Sequence, residues 1–281
     1  MLRLDSLPHP ATCLLGAVFA RKEAIPMEAS LPALALHIGR VETPPAQIAA
    51  YREAFGFAAA VPLAWLYLPV QRAQLVLINQ KHFPLRAAGL IHVANTIEQV
   101  ESLVPGQPIA VSICLGEQSA RRSGRQFELL TRIEQGEREV ACMSSRYLAP
   151  APRIRGASRA PGSPTPAAGP VLSTIDASPG YGWRYARLSG DWNPIHLHPW
   201  LARSFGLRRP IAHGMAVAAA ALAALEAERR ASARRFEVEF LKPVPLPSEL
   251  ECEATPLAAE DLARAQVRLA GEIVQRVTAR F

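Results

Sequence analysis

The chain has 281 residues, 49% hydrophobic and 20% charged, enough for one large domain or two of ordinary size. Its net charge of +7 comes almost wholly from arginines dispersed in short pairs with few aromatics between them. That pattern lacks a nucleic-acid footprint and suits a phosphate-bearing ligand or a solvated basic surface equally. No apolar run reaches the roughly 18–20 residues that span a bilayer.

Ala11–Ala20 is a short apolar stretch behind Arg3. Asp5, Pro8 and Pro10 spoil it as a signal segment, so it reads as a short N-terminal helix. Leu31–Val41 alternates loosely. Thr43 can cap the next helix, with Pro44 and Pro45 in its first turn, and Ala46–Phe55 is that helix, closed by Gly56. Within the apolar Val61–Lys81, Pro69 can start a helix running to about Asn79. Leu90–Ile97, Ile109–Leu115, Gln126–Glu134 and Arg138–Leu148 read as strands, the last two joined across Gln135-Gly136-Glu137. Ala149–Pro170 then breaks the pattern: six of its 22 residues are proline, and Ile154 is its only large aliphatic residue. It cannot bury a core and reads as a linker.

The second half repeats the plan. Tyr181–Leu188 leads into a polar loop, Pro199–Phe205 is a short helix ended by Gly206, and Gly214–Arg229 is a longer, alanine-rich helix. Phe236–Leu241, Glu249–Thr255, Arg264–Ala270 and Ile273–Phe281 are strands, the last pair turning at Ala270-Gly271-Glu272. The expected organisation is a first domain over 1–148, a linker over 149–170 and a second domain over 171–281. Helices gathered on one face of an antiparallel sheet make an α+β fold. Alanine side chains let a curved sheet close around their helix, which is the hot-dog architecture. The two similar halves suggest its duplication: two antiparallel sheets, each wrapped around a central helix. The four cysteines, Cys13, Cys114, Cys142 and Cys252, show no metal or redox spacing and point to free thiols in a reducing cytoplasm.

Chemistry concentrates in Ser189-Gly190-Asp191-Trp192-Asn193-Pro194-Ile195-His196 and in His213-Gly214-Met215. Taken alone, Gly190 to Pro194 is a turn in which Asp191 or Asn193 caps the next helix. His196 adds an imidazole five residues after the carboxylate. The two groups can share one water, take a proton from it and return it. Gly214 opens the alanine helix, where amides lack intrahelical partners and the dipole is positive. Such an amide suits a carbonyl that becomes an oxyanion; a packing glycine beneath another element is the alternative. His213 reads as structural. Asp191, His196, His198 and His213 lie close enough in sequence to raise a metal site, but His196 and His198 point apart on any regular element and no cysteine joins them. No metal is expected.

Tyr185 through His196, followed by Ala202, resembles the signature of the MaoC-like (R)-specific enoyl-CoA hydratases, and Ala212-His213-Gly214-Met215 is similar to that family's second block. Both blocks fall in the second half, as in double-hot-dog members whose first half is a degenerate hot dog without the motif. The resemblance implies that Asp191 and His196 are the catalytic pair holding the water. It makes Asn193 a support of the loop and substrate pocket, and the Gly214 amide the oxyanion donor. It implies reversible syn hydration of a trans-2-enoyl thioester to an (R)-3-hydroxyacyl thioester, with no cofactor beyond the CoA or pantetheine handle of the substrate. The partners implied are acyl-CoA or acyl-carrier-protein thioesters, without nucleic acid or membrane, in a chain that works alone or as a homodimer. The first half would supply the acyl-tail pocket, its central helix free to move aside. Arg208 and Arg209 suit CoA phosphates or a solvated turn. The rival readings are a hot-dog acyl-CoA thioesterase and a non-catalytic acyl-thioester-binding subunit.

Overall fold

The computed structural model describes residues 1–9, 12–13, 22, 25–26, 29–121, 123–151, 169–256 and 261–281. Most of the N-terminal helix expected at Ala11–Ala20, and residues 152–168 of the expected linker, lie outside the described residues.

Eleven strands form one sheet in the order β1-β2-β4-β5-β6-β3-β8-β11-β10-β9-β7. The first half supplies β2 (Ala35–Val41), β3 (Ile91–Gln99), β4 (Ile109–Arg121), β5 (Gly124–Gln135) and β6 (Arg138–Pro150). The second supplies β7 (Val171–Ala177), β8 (Arg235–Phe240), β9 (Ser248–Thr255), β10 (Leu262–Leu269) and β11 (Glu272–Arg280). Each half has the same internal order, 2-4-5-6-3 and 7-9-10-11-8, which is the expected duplication in topological form. The two sheets are not separate. β3 pairs antiparallel with β8, Asn95 opposite Val238 and Ile97 opposite Phe236, and fuses them. β1 (Leu2–Ser6), not expected from the sequence, adds to β2 in parallel.

A central helix follows the first strand of each half: α2 (Tyr67–Ile78) before β3 and α5 (Gly214–Arg229) before β8. Both are largely buried, which matches their mostly apolar composition. Ala216, Ala218, Ala219 and Ala221 of α5 are fully buried, so the sheet approaches the helix at methyl-group distance. In α2, Pro69 is the third residue rather than the first, and a 3₁₀ turn at Leu63–Leu66 precedes the helix. A proline in the first turn removes an N–H that has no intrahelical acceptor anyway.

Among the described residues three smaller helices complete the layer: α1 (Pro45–Phe55), α3 (Tyr181–Ser189) and α4 (Pro199–Ser204). Thr43 does not cap α1. Its hydroxyl donates to the Gln107 carbonyl at 2.7 Å and accepts from the Gly106 amide at 3.1 Å, tying the β3–β4 turn to the start of α1. Ala270 and Gly271 have φ of 50° and 80°, the left-handed pair of a two-residue hairpin.

Candidate active site

The site is assembled where α3 ends. Gly190 adopts φ 74° and reverses the chain, a conformation that glycine reaches without steric cost. Ser189 Oγ donates to the Tyr185 carbonyl at 2.8 Å and accepts from the Asp191 amide at 3.1 Å. Asp191 Oδ1 accepts from the Asn193 amide at 3.1 Å, and Asn193 Oδ1 accepts from the Ile195 amide at 3.4 Å. The capping roles read from the motif are therefore present. They form a 3₁₀ turn at Pro194–His196 that presents the imidazole. Gly182 of α3 lies directly beneath: a Cβ there would stand 2.0 Å from the His196 carbonyl oxygen. His198 is removed from the site, with Nδ1 accepting from the Trp200 amide at 3.2 Å to cap α4.

One ligand atom from each of Asp191, His196 and His213 lies within 4.8 Å of the others. Two polar atoms that far apart can both bond one water, since each bond spans about 2.8 Å. The His196 Nδ1–H donates to the Ile211 carbonyl at 2.8 Å, leaving Nε2 as an acceptor. His213 Nε2–H donates to the Asp191 carbonyl at 3.1 Å, and its ring stacks on His196 at 3.7 Å with 27° between planes. His213 thus fixes both the loop backbone and the His196 ring, the structural role its sequence context suggested. Lone pairs of stacked imidazoles lie in nearly parallel planes. They do not converge on a single ion about 2.1 Å from each nitrogen, so this donor set suits a water better than a metal.

Burial holds the His196 imidazole below its usual range, against the pull of the Asp191 carboxylate and the Ile211 carbonyl. Burial and His196 hold His213 down to about 3. Burial alone would raise Asp191. The neighbouring histidines, the Gln71 amide and the Asn193 N–H outweigh it, and the carboxyl sits below its ordinary value. Neutral pH therefore finds neutral imidazoles beside a carboxylate.

The partner that sequence reasoning missed is Gln71. From α2 of the first half, its Nε2 donates to Asp191 Oδ2 at 2.6 Å. The first half's helix has not moved aside; it reaches the carboxylate. The available signal was Gln71 and Gln74, two amides that with Arg72 interrupt a mostly apolar helix, since polar groups taken out of water require partners. Gln74 joins a buried chain, accepting from Tyr147 Oη at 2.6 Å and donating to Ser145 Oγ at 2.8 Å. Beside it His92 stacks between Tyr67 and Tyr147, with ring centroids 5.4 and 4.9 Å away.

Gly214 begins α5. His213 makes no side-chain cap, so the Gly214 N–H has no intrahelical acceptor. Its carbonyl is held by Gln275 Nε2 at 3.0 Å. A Cβ on Gly214 would meet the Phe240 ring at 2.8 and 2.9 Å. Packing therefore requires the glycine directly, alongside any need for a ligand to approach its amide.

A duplicated hot dog whose second half bears an Asp-x-Asn-Pro-x-His loop facing a helix N-terminus defines a narrow class of proteins. Residues 165–276 match the MaoC like domain. The chain is 30% identical over 238 residues to 3-hydroxyacyl-thioester dehydratase X of Mycobacterium tuberculosis, covering 84% of this chain and 85% of that protein. The crystal structure of HtdX from the same organism superposes with a TM-score of 0.74 at 26% identity, over 88% of this chain and 99% of that one. A second M. tuberculosis protein, described as having a double hotdog fold, matches at TM-score 0.55 and 14% identity, over 89% of this chain and 94% of that one. The chain belongs to the MaoC-like dehydratase family.

Proposed function

We propose that the protein interconverts (R)-3-hydroxyacyl thioesters and trans-2-enoyl thioesters, as an (R)-specific hydro-lyase, with Asp191 and His196 as its acid–base pair. One observation carries this reading: a neutral imidazole with a free Nε2 and a carboxylate stand in one loop, within 4.8 Å of each other and so within reach of one water. The name of the mycobacterial relative, a 3-hydroxyacyl-thioester dehydratase, supports the same chemistry. In dehydration the thioester carbonyl lies at the Gly214 amide. The pair removes the proton at C2, and the electron pair of that C–H bond moves into an enolate stabilised by Gly214 N–H. The enolate expels the 3-hydroxyl, which takes a proton from the same pair and leaves as water. The C2–H and C3–O bonds break, the C2–C3 double bond forms, and no redox partner enters. Proton removal and water departure on one face make the reaction syn.

Asn193 supports the loop by holding the Ile195 amide. The thioester handle is part of the substrate, and the mechanism calls on no other cofactor. We assign residues 1–148 and 171–281 as the two hot-dog units and 149–170 as their linker. The first unit supplies Gln71, which holds the Asp191 carboxylate, and we place the acyl tail on the side of this unit. The four free cysteines favour a cytoplasmic setting; no described helix is long and apolar enough to cross a membrane. Crotonyl-CoA given to the purified chain tests the reading. Formation of (R)-3-hydroxybutyryl-CoA is expected. Release of CoA would make it a thioesterase, and binding without turnover a non-catalytic subunit.

A further inference from the structure

Residues 181–213 carry five of the exposed large apolar side chains found among the described residues: Trp183, Trp192, Trp200, Leu201 and Phe205. Three of the chain's four tryptophans are therefore on this surface. Trp200 is 72% exposed, and Ala202 is the one buried residue of α4. Folding does not account for such a cluster. Single exposed apolar residues are ordinary, but contiguous ones mark a surface that another molecule covers.

The charges of the same stretch are as one-sided. Arg184, Arg187, Arg203, Arg208 and Arg209 are all exposed, and the only acid, Asp191, is turned inward onto Gln71. The patch is also continuous with the catalytic loop. Trp183 Nε1 donates to the carbonyl of Leu197, next to His196, at 2.9 Å. The Trp183 and Trp192 rings meet edge to face at 6.0 Å beside Asp191, and Arg203 lies 5.9 Å over the Trp200 ring.

Resting on the dehydratase reading, we propose that this face docks an acidic carrier protein that presents the acyl group on a phosphopantetheine arm. Tryptophan and arginine are the side chains most enriched where proteins bind one another. A free nucleotide handle would use the arginines and leave most of the apolar side chains in water. A lipid surface would use both kinds of residue but does not deliver a thioester to His196. An acidic carrier uses both, on a face that adjoins the loop bearing Asp191 and His196. Its negative surface would be steered by the arginines, which speeds encounter at low salt.

The test compares one 3-hydroxyacyl group on an acidic acyl carrier protein and on CoA. Trp200→Ala/Arg203→Glu, and separately Phe205→Ser, are measured against wild type after thermal melts confirm folding. For the double variant, kcat/KM on the carrier substrate should fall about tenfold or more, mainly through KM, while kcat/KM on the CoA substrate stays within about twofold. Rising salt should depress carrier turnover by wild type several-fold and depress that of the double variant, which keeps four of the five arginines, less steeply. Titration of the carrier should show the same loss of affinity, which reads the surface even if neither thioester is turned over. Equal losses on both thioesters would assign the face to CoA. Binding by wild type to phosphatidylglycerol vesicles but not to the carrier would assign it to lipid. Unchanged carrier turnover and affinity would leave the face without this partner. Each of these three results overturns the proposal. Wild-type turnover of neither thioester would count against the dehydratase reading instead.

Discussion

Replacing Gln71 with leucine removes one hydrogen bond while keeping the bulk of an α2 side chain. That bond, 2.6 Å from Nε2 to Asp191 Oδ2, has an ionised acceptor, a kind of bond worth about 1.5–3 kcal/mol. If it positions the carboxylate through the transition state, its loss lowers kcat/KM by roughly 10- to 100-fold, at 1.4 kcal/mol per tenfold. The Gln71 N–H also helps hold the Asp191 carboxyl below its ordinary value. Removing it raises that pKa, so the acid limb of the pH profile moves to higher pH. The assay is kcat/KM for a 3-hydroxyacyl thioester across pH, on wild type and Gln71→Leu, with melting curves for both. A variant with unchanged kcat/KM and an unmoved acid limb would refute the claim that the first half positions the carboxylate.

Gly214→Ala should cut turnover at least tenfold, because the new methyl meets the Phe240 ring at 2.8 Å; adding Phe240→Leu should restore part of it. Absence of any rescue would mean that the glycine serves ligand approach alone. Gly182→Ala places a methyl 2.0 Å from the His196 carbonyl. It should cost about 2 kcal/mol or more in stability together with activity, and a fully active, equally stable variant would contradict the packing of α3 under the turn that carries His196. Glu226 is buried, with Oε1 accepting from the Ala233 amide at 3.0 Å and Oε2 unpartnered. Burial raises its pKa to about 7. The unfolded chain therefore ionises this group first, and stability falls as pH rises from the ordinary carboxyl value to about 7. Between pH 5 and 8 wild type should lose up to about 3 kcal/mol more than Glu226→Gln. Parallel stability curves for the two proteins would refute the assignment.

Helix and strand periodicity located most elements, and α5 was expected at its observed bounds because glycine, alanine and a closing arginine mark both ends. The fusion of the two sheets was not legible. Pairing of β3 with β8 joins residues 137 and more positions apart, as Glu98 and Arg235 show with their 2.6 Å ion pair, and no local pattern encodes it. β1 and β7 were missed for a similar reason: they are short edge strands whose partners are distant in sequence. Within the site, Asp191, Asn193 and His196 were visible because one loop holds them, and their capping bonds follow from spacing. Gln71 was not, since its partner is 120 residues away. Thr43 was misread because a hydroxyl before two prolines looks like a helix cap, whereas tertiary packing offers it Gln107 and Gly106. Gly214 had two readings in the sequence, and only the position of Phe240 gives packing its weight.

The central claim is that Asp191 and His196 act together on one water. The most direct measurement is turnover of crotonyl-CoA, and of its (R)-3-hydroxy product in reverse, by purified wild type, Asp191→Asn and His196→Ala. Wild type should give the (R) product without releasing CoA. Each variant should lose roughly 10³-fold or more of kcat with a melting temperature close to that of wild type. Turnover at the wild-type rate by either folded variant would contradict the account.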